Sequence, residues 1–442
     1  MDILKGLFGL AVLIGIAWCF SNNKSRVDWK LVATGVLLQI AFAYFVLMTP
    51  YGNAIFDALG KGFVTLLSFT TAGSEMIFGP RFSTPKEFGF IFIFHALPTV
   101  IFFAALMAIL YHLGIMQLIV KAMAWLITKV MKVSGAETTA VCASVFIGQT
   151  EAPLTVRPYI NKMTESELLT MMIGGMAHIA GGVMAIYIGL LAGSDVGLQT
   201  EYAKHFLAAS IMAAPATLLI AKILIPETGT PLTTGKVSVH FEKESKNIID
   251  AAAAGAADGM RLALNIAAML LAFVALIAMV NYFIGLIGDI HMSGYNSWNT
   301  MLNQGAAAGA APIKLNLGLI MGYVLAPIAW VIGIEWKDAV IAGGLIGQKV
   351  VLNEFVAYLQ LAATPVGDGV GAISQHSRLI LTYALCGFAN FASIAIQIGG
   401  IGALAPERRG DLARFGMRAV LGGSIATLMT ATIAGVLLGL IK

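Results

Sequence analysis

Charge is scarce in this sequence. Asp, Glu, Lys and Arg make up 11% of its 442 residues, against 58% hydrophobic, where a soluble globular protein carries about 25% charged residues. So little charge cannot coat a water-exposed surface, which excludes an ordinary soluble enzyme or binding module. Cysteine is rarer still: Cys19, Cys142 and Cys386 all lie in apolar runs, as small packing residues do, and form no disulfide framework or metal set. The histidines have no metal-ligand spacing, and the zinc-protease helix, the phosphate-binding glycine loop and the nucleophile elbow are absent. The net charge of +4 comes from basic residues scattered through loops, without the patch a nucleic acid requires. The first apolar run ends in Ser21-Asn22-Asn23-Lys24 rather than in a small-residue cleavage site, so it reads as a span and not a signal peptide.

What remains is a series of membrane-length apolar segments. Spans are predicted at 3–20, 31–48, 89–113, 168–191, 206–224, 262–288, 379–401 and 417–441. Residues 53–70 put Ile55, Phe56, Leu59, Phe63, Leu66 and Leu67 on one face and Asn53, Asp57, Lys61, Thr65 and Ser68 opposite, as an interfacial helix does. A basic amphipathic helix carries Gln117, Lys121, Thr128 and Lys132, and residues 226–245, with Lys236 and Lys243, form the one long polar linker. Residues 315–334 are apolar but contain Gly322 and Pro327, and read as an interfacial or irregular segment. Lys24, Arg26 and Lys30 place the first loop in the cytoplasm and Arg408 and Arg409 the last one. Both termini are then outside the cell membrane.

Two stretches interrupt this pattern. Ser144 to Ile160 carries Gln149-Thr150-Glu151 amid apolar residues, with Gly148 before and Pro153 after. The apolar runs on either side are far shorter than the about 20 residues of a spanning helix. A helix that enters, breaks and leaves again fits; a spanning helix does not, and broken backbone at membrane depth survives only where protein buries it or water lines it. Residues 338–362 answer it, with Ile346-Gly347-Gln348 followed by Glu354, as Ile147-Gly148-Gln149 is followed by Glu151. Paired interrupted segments in two halves point to a transporter's binding site. The prediction is an all-α polytopic membrane protein of about eight transmembrane helices, two re-entrant hairpins in inverted repeats, and interfacial helices. Its parts are 1–135 (scaffold), 136–225 (first core repeat), 226–335 (linker, long sixth span and connecting scaffold) and 336–442 (second core repeat).

Gln149-Thr150-Glu151-Ala152-Pro153 with Arg157-Pro158-Tyr159, then Asn353-Glu354-Phe355-Val356-Ala357-Tyr358, then Cys386-Gly387-Phe388-Ala389-Asn390-Phe391-Ala392-Ser393-Ile394 resemble the concentrative nucleoside transporters, in order and over nearly the whole chain. The resemblance implies cation-coupled uptake of nucleosides by a homotrimer with an elevator-like moving core, no organic cofactor and no enzymatic activity. It assigns Gln149, Thr150 and Glu151 to the base, with Val183 packing it, and Glu354, Asn390 and Ser393 to the ribose, with Phe388 lining the pocket. The chemistry agrees: an amide donates and accepts at a base edge, and a carboxylate accepts from vicinal hydroxyls. Each carboxylate has a plainer reading too, as a cap on free N–H groups where a hairpin's second arm begins.

The resemblance also implies a sodium site at Ser144, Ile147, His178 and Ile179, the two isoleucines through their carbonyls. His178 departs from the hydroxyl that sodium users carry there, and imidazole is a poor ligand for a hard cation. Sodium is the expected coupling ion, with the proton as the competing one. The alternative function is an intramembrane enzyme using Glu151 and Glu354 as an acid–base pair, for which the sequence supplies neither nucleophile nor metal.

Overall fold

A computed structural model describes residues 3–83, 91–235, 245–291, 296–303, 314–367, 369 and 371–440, and its regular elements are all helical. Before the first hairpin come α1 (Ile3–Cys19), α2 (Trp29–Met48), α3 (Pro50–Phe78), the short α4 (Pro80–Ser83), α5 (Phe92–His112) and α6 (Ile115–Met131). The first hairpin pairs α7 (Gly135–Ser144) with a 3-10 arm, Ala152–Lys162, and is followed by α8 (Glu165–Ala177), α9 (Gly181–Ala192) and α10 (Val196–Leu224). Then come α11 (Ile248–Gly288), the short α12 (Trp298–Leu302) and α13 (Leu317–Val331). The second hairpin pairs α14 (Ala339–Val351) with α15 (Glu354–Ala363), ahead of α16 (Gln375–Ala384), α17 (Phe391–Leu404) and α18 (Arg409–Leu440). Hairpin, broken span and long span thus occur twice, in the same order.

Burial separates core from periphery. The most apolar window of α10 is 89% buried, whereas that of α11 is 6% buried although α11 is the more hydrophobic. A helix apolar on all sides needs a non-aqueous neighbour on all sides. For α11 the chain supplies chiefly α5, on which it lies closely because Gly255 and Gly259 face the α5 backbone, with α12 and α13 touching its far end. Six segments among the described residues are long and apolar enough to cross a membrane, the broken pair α8–α9 counted as one.

Several boundaries differ from the sequence reading. The interfacial helix expected at 53–70 runs over Pro50–Phe78, started by Thr49 Oγ1 accepting from Gly52 N at 3.0 Å with Pro50 behind it. The fifth span starts at Val196, where Asp195 caps it, and the sixth at Ile248, where Asn247 does. Residues 317–331 are a regular helix after all: α13 tolerates Gly322 because that glycine admits the backbone of α14, and Gly343 returns the fit. Cys19 is exposed rather than packed. The Ile-Gly-Gln motifs are not structural equivalents, for Gly148 and Gln149 lie in the turn while Gly347 and Gln348 lie inside α14. Gly89, Lys236 and Lys243 lie outside the described residues.

The linker expected on the surface folds back at Thr233, which is buried: its Oγ1 accepts from Ala136 N at 2.9 Å and its carbonyl from Gly135 N at 3.0 Å. The same end of the hairpin is latched by Lys222 of α10, whose ammonium lies 2.8 Å from Glu137 and 3.1 Å from Glu227 and donates to Ser166 Oγ. Because Lys222 and Glu137 are both buried, removing one strands the other. Lys222→Met should destabilise the purified protein by about 3–5 kcal/mol, and Lys222→Met with Glu137→Gln by clearly less. Melting curves in detergent check this; equal losses would contradict it.

Candidate functional site

Each broken span leaves carbonyls free at one helix end and N–H groups free at the next helix start. One break, residues 178–180, separates α8 from α9; the other, residues 385–390, separates α16 from α17. They meet, with Phe388 N donating to His178 O at 3.3 Å. Gly387 makes the approach possible, since a Cβ there would lie 2.8 Å from both Met176 O and Thr427 Cγ2. The turn of the first hairpin closes on the same place, where Phe146 O accepts from Gly181 N at 3.2 Å.

Around this crossing runs a chain of polar side chains. Gln149 Nε2 donates to Ser393 Oγ at 3.1 Å, and Ser393 N donates to Asn390 Oδ1 at 2.9 Å, which caps α17. Asn390 Nδ2 donates to Glu354 Oε2 at 3.2 Å, and Tyr187 OH donates to Glu354 Oε1 at 2.9 Å. Glu354 is the first residue of α15, which Asn353 caps through Val356 N, so its carboxylate sits at the positive end of a helix. The two hairpins therefore connect, through four buried side chains, at the start of α17. Val183, on the first turn of α9, is buried close by in sequence to Ala180, and Phe388 is partly buried in the second break.

Thr150 and Glu151 are not part of this chain. Thr150 Oγ1 donates to Glu151 Oε1 at 2.9 Å at the hairpin turn, where Glu151 is exposed and Thr150 half-buried. Gly148 leaves the space the Glu151 carboxylate occupies. The two glutamates share no hydrogen-bond partner among the described residues.

Of the residues expected to hold a cation, Ser144 ends α7 and donates to Ala140 O at 3.0 Å, which leaves its oxygen lone pairs free to accept. His178 Nδ1 lies 2.7 Å from Gly174 O. A carbonyl can only accept, so Nδ1 carries the proton in that bond. Nε2 is buried with no hydrogen-bond partner among the described residues. Ile147 sits in the hairpin turn and Ile179 in the first break, where carbonyls are released from helical bonding.

Two contributors escaped the sequence reading. Gln397 Nε2 donates to Gln149 Oε1 at 3.2 Å and to Met172 O at 2.9 Å, orienting the glutamine amide. Its signal was available, because Asn390, Ser393 and Gln397 fall three and four residues apart, a polar stripe on an otherwise apolar helix. Tyr187 had no such signal. It is held by Tyr358, whose ring stacks on it at 4.3 Å between centroids, and by Phe355 at 5.8 Å.

Family models match three consecutive parts of the chain. They are described as Na+ dependent nucleoside transporter N-terminus (residues 8–81), Nucleoside recognition (93–194) and Na+ dependent nucleoside transporter C-terminus (205–435). Nucleoside permease NupC of Helicobacter pylori is 37% identical, over 99% of this chain and 98% of its own length. Solute carrier family 28 member 3 of Rattus norvegicus is 38% identical over 97% of this chain, which spans 58% of that longer protein. Among solved structures, CNTnw in an inward-facing substrate-bound state is 40% identical with a TM-score of 0.86, covering 98% of this chain and 99% of that one.

The crossing has a simple test. Gly387→Ala forces its new methyl against Met176 O and Thr427, and should lower stability by about 1–3 kcal/mol. Gly399, beside which a Cβ meets open space, should accept alanine with no loss. Melting of the two variants in detergent checks the contrast.

Proposed function

The chain belongs to the Na+ dependent nucleoside transporter family, and from that premise we propose that it is a cation-coupled symporter that carries nucleosides into the cell by secondary active transport. The observation that carries this reading is the buried chain Gln149–Ser393–Asn390–Glu354 at the start of α17. An amide at one end suits a base edge, and a helix-start carboxylate at the other suits the sugar's hydroxyls. Val183 and Phe388 supply apolar faces for the base and pocket wall, while Thr150 and Glu151 approach the base from the hairpin turn. The unlike settings of Glu151 and Glu354 speak against an intramembrane acid–base pair.

Sodium is the favoured coupling ion, held by Ser144 Oγ, the carbonyls of Ile147 and Ile179, and His178. The family's description and the carbonyl-rich break support it. Histidine as a side chain whose charge changes near neutral pH is the ground for the proton, the competing form of the same proposal. One cation falling through 100 mV releases about 2.3 kcal/mol, enough to concentrate a neutral nucleoside roughly fortyfold. Uridine uptake into proteoliposomes at fixed pH should rise with an inward sodium gradient. Stimulation by an inward-acid gradient alone would overturn sodium, and accumulation with neither gradient would overturn coupling.

The moving part comprises both hairpins with α8–α10 and α16–α18, and the hairpins are re-entrant from opposite faces, with both termini outside the cell membrane. The apolar, exposed flank of α11 supports its use as the contact of a homotrimer, with lipid covering the rest. Cysteines at exposed Lys162 and Glu335, with Cys19, Cys142 and Cys386 replaced, should label from the cytoplasm and from outside respectively. Labelling of both from one face would remove the inverted arrangement. At the site, Glu354→Gln should weaken uridine by roughly ten- to hundredfold, the 1.5–3 kcal/mol of a charged hydrogen bond. 2′,3′-dideoxyuridine should already bind the parent poorly; equal affinities would take Glu354 out of the sugar site.

A further inference from the structure

Lys349 is a buried cation that the transport reading does not use. It lies in the last turn of α14 with 1% of its surface exposed. Its ammonium donates to Ala384 O at 2.8 Å and to Thr427 Oγ1 at 2.7 Å. Among the described residues it forms no direct ion pair, so two oxygen dipoles hold its charge at contact, with the Glu354 carboxylate acting on it from further away. Both are well placed for that. Ala384 is the last residue of α16, at the negative end of a helix, and Thr427 has already donated its own proton to Ser424 O at 2.9 Å, which turns its lone pairs outward.

The position has a counterpart in the other repeat. In the first, Ser144 ends the first hairpin helix, and the first break begins at His178, just past the last residue of α8. In the second, Lys349 is near the end of the first hairpin helix and contacts the last residue of α16, where the second break begins. Each place is where a hairpin helix meets a severed helix C-terminus, a geometry that attracts a cation. The first offers oxygens and an imidazole with no cation of its own; the second contains a side-chain ammonium.

We propose that Lys349 fills a second monovalent-cation site, the counterpart of the one at Ser144 and His178, with a tethered ammonium that pins the second hairpin to the broken seventh span. One repeat then has an exchangeable cation and the other a permanent one. This limits coupling to a single ion per nucleoside, a consequence that rests on the transport reading, whereas the site itself does not.

The test is thermal melting of the purified protein without nucleoside or gradient, so its outcome is independent of whether the protein transports. Lys349→Ala removes the tethered charge and leaves room for a free one. It should melt below the parent in choline chloride, by roughly 5 °C or more, and recover at least half of that in ammonium or methylammonium chloride at equal ionic strength. The parent should melt alike in all three salts. Equal melting of the alanine variant in choline, ammonium and methylammonium would overturn the proposal. Should that variant fail to accumulate, Lys349→Met, which keeps the length and drops the charge, decides: a lower melting temperature than the parent supports the tethered cation, and an unchanged one overturns it.

Discussion

A helix broken inside a bilayer must have its freed backbone groups satisfied by protein or enclosed water, and here two broken spans meet at their breaks. Phe388 N–H donates to His178 O, and Gly387 lets the strands come close enough to do so. Much follows from that crossing. It fixes where α9 and α17 begin, and so where Asn390 and Ser393 lie. It gives the first hairpin a surface to close on, through Phe146 O and Gly181 N. It also places the second hairpin, because Glu354 reaches Asn390 and Lys349 reaches Ala384.

The crossing also sorts charge. The severed C-termini of α8 and α16 collect carbonyl oxygens: the proposed cation ligand His178 follows the first, and the ammonium of Lys349 donates to the last carbonyl of the second. The severed N-termini gather N–H groups and caps, and there the chain from Gln149 to Glu354 assembles. Helix-dipole fields are modest at an exposed surface and larger where water is kept out. On the proposed function, sorting both signs at one crossing would give a cation and a neutral polar solute separate but adjacent places.

Much of this could be read from the residues. The hairpins lie where the apolar runs are too short to cross, and glycines stand at both breaks, Gly181-Gly182 and Gly387. The resemblance singled out Gln149, Asn390, Ser393 and Glu354, and the structure joins these four by hydrogen bonds. The matching Ile-Gly-Gln motifs misled in register: α7 ends at Ser144, before Gly148, whereas α14 continues past Gly347 to Val351 and the chain breaks only where Asn353 caps the next helix. Helix starts at Pro50, Val196 and Ile248 lay in their caps rather than in hydropathy. Contacts between distant residues were the least legible. Nothing near Lys222 in sequence announces Glu137, and nothing near Tyr187 announces Glu354.

If cation and nucleoside occupy opposite sides of one backbone crossing, each should alter the other's binding, and by linkage the two effects must be equal. The direct measurement is calorimetric titration of uridine into the purified protein in sodium chloride and in choline chloride at the same pH. The account predicts at least about fivefold tighter uridine binding in sodium, with uridine tightening sodium by the same factor. Identical uridine affinity in the two salts would contradict it.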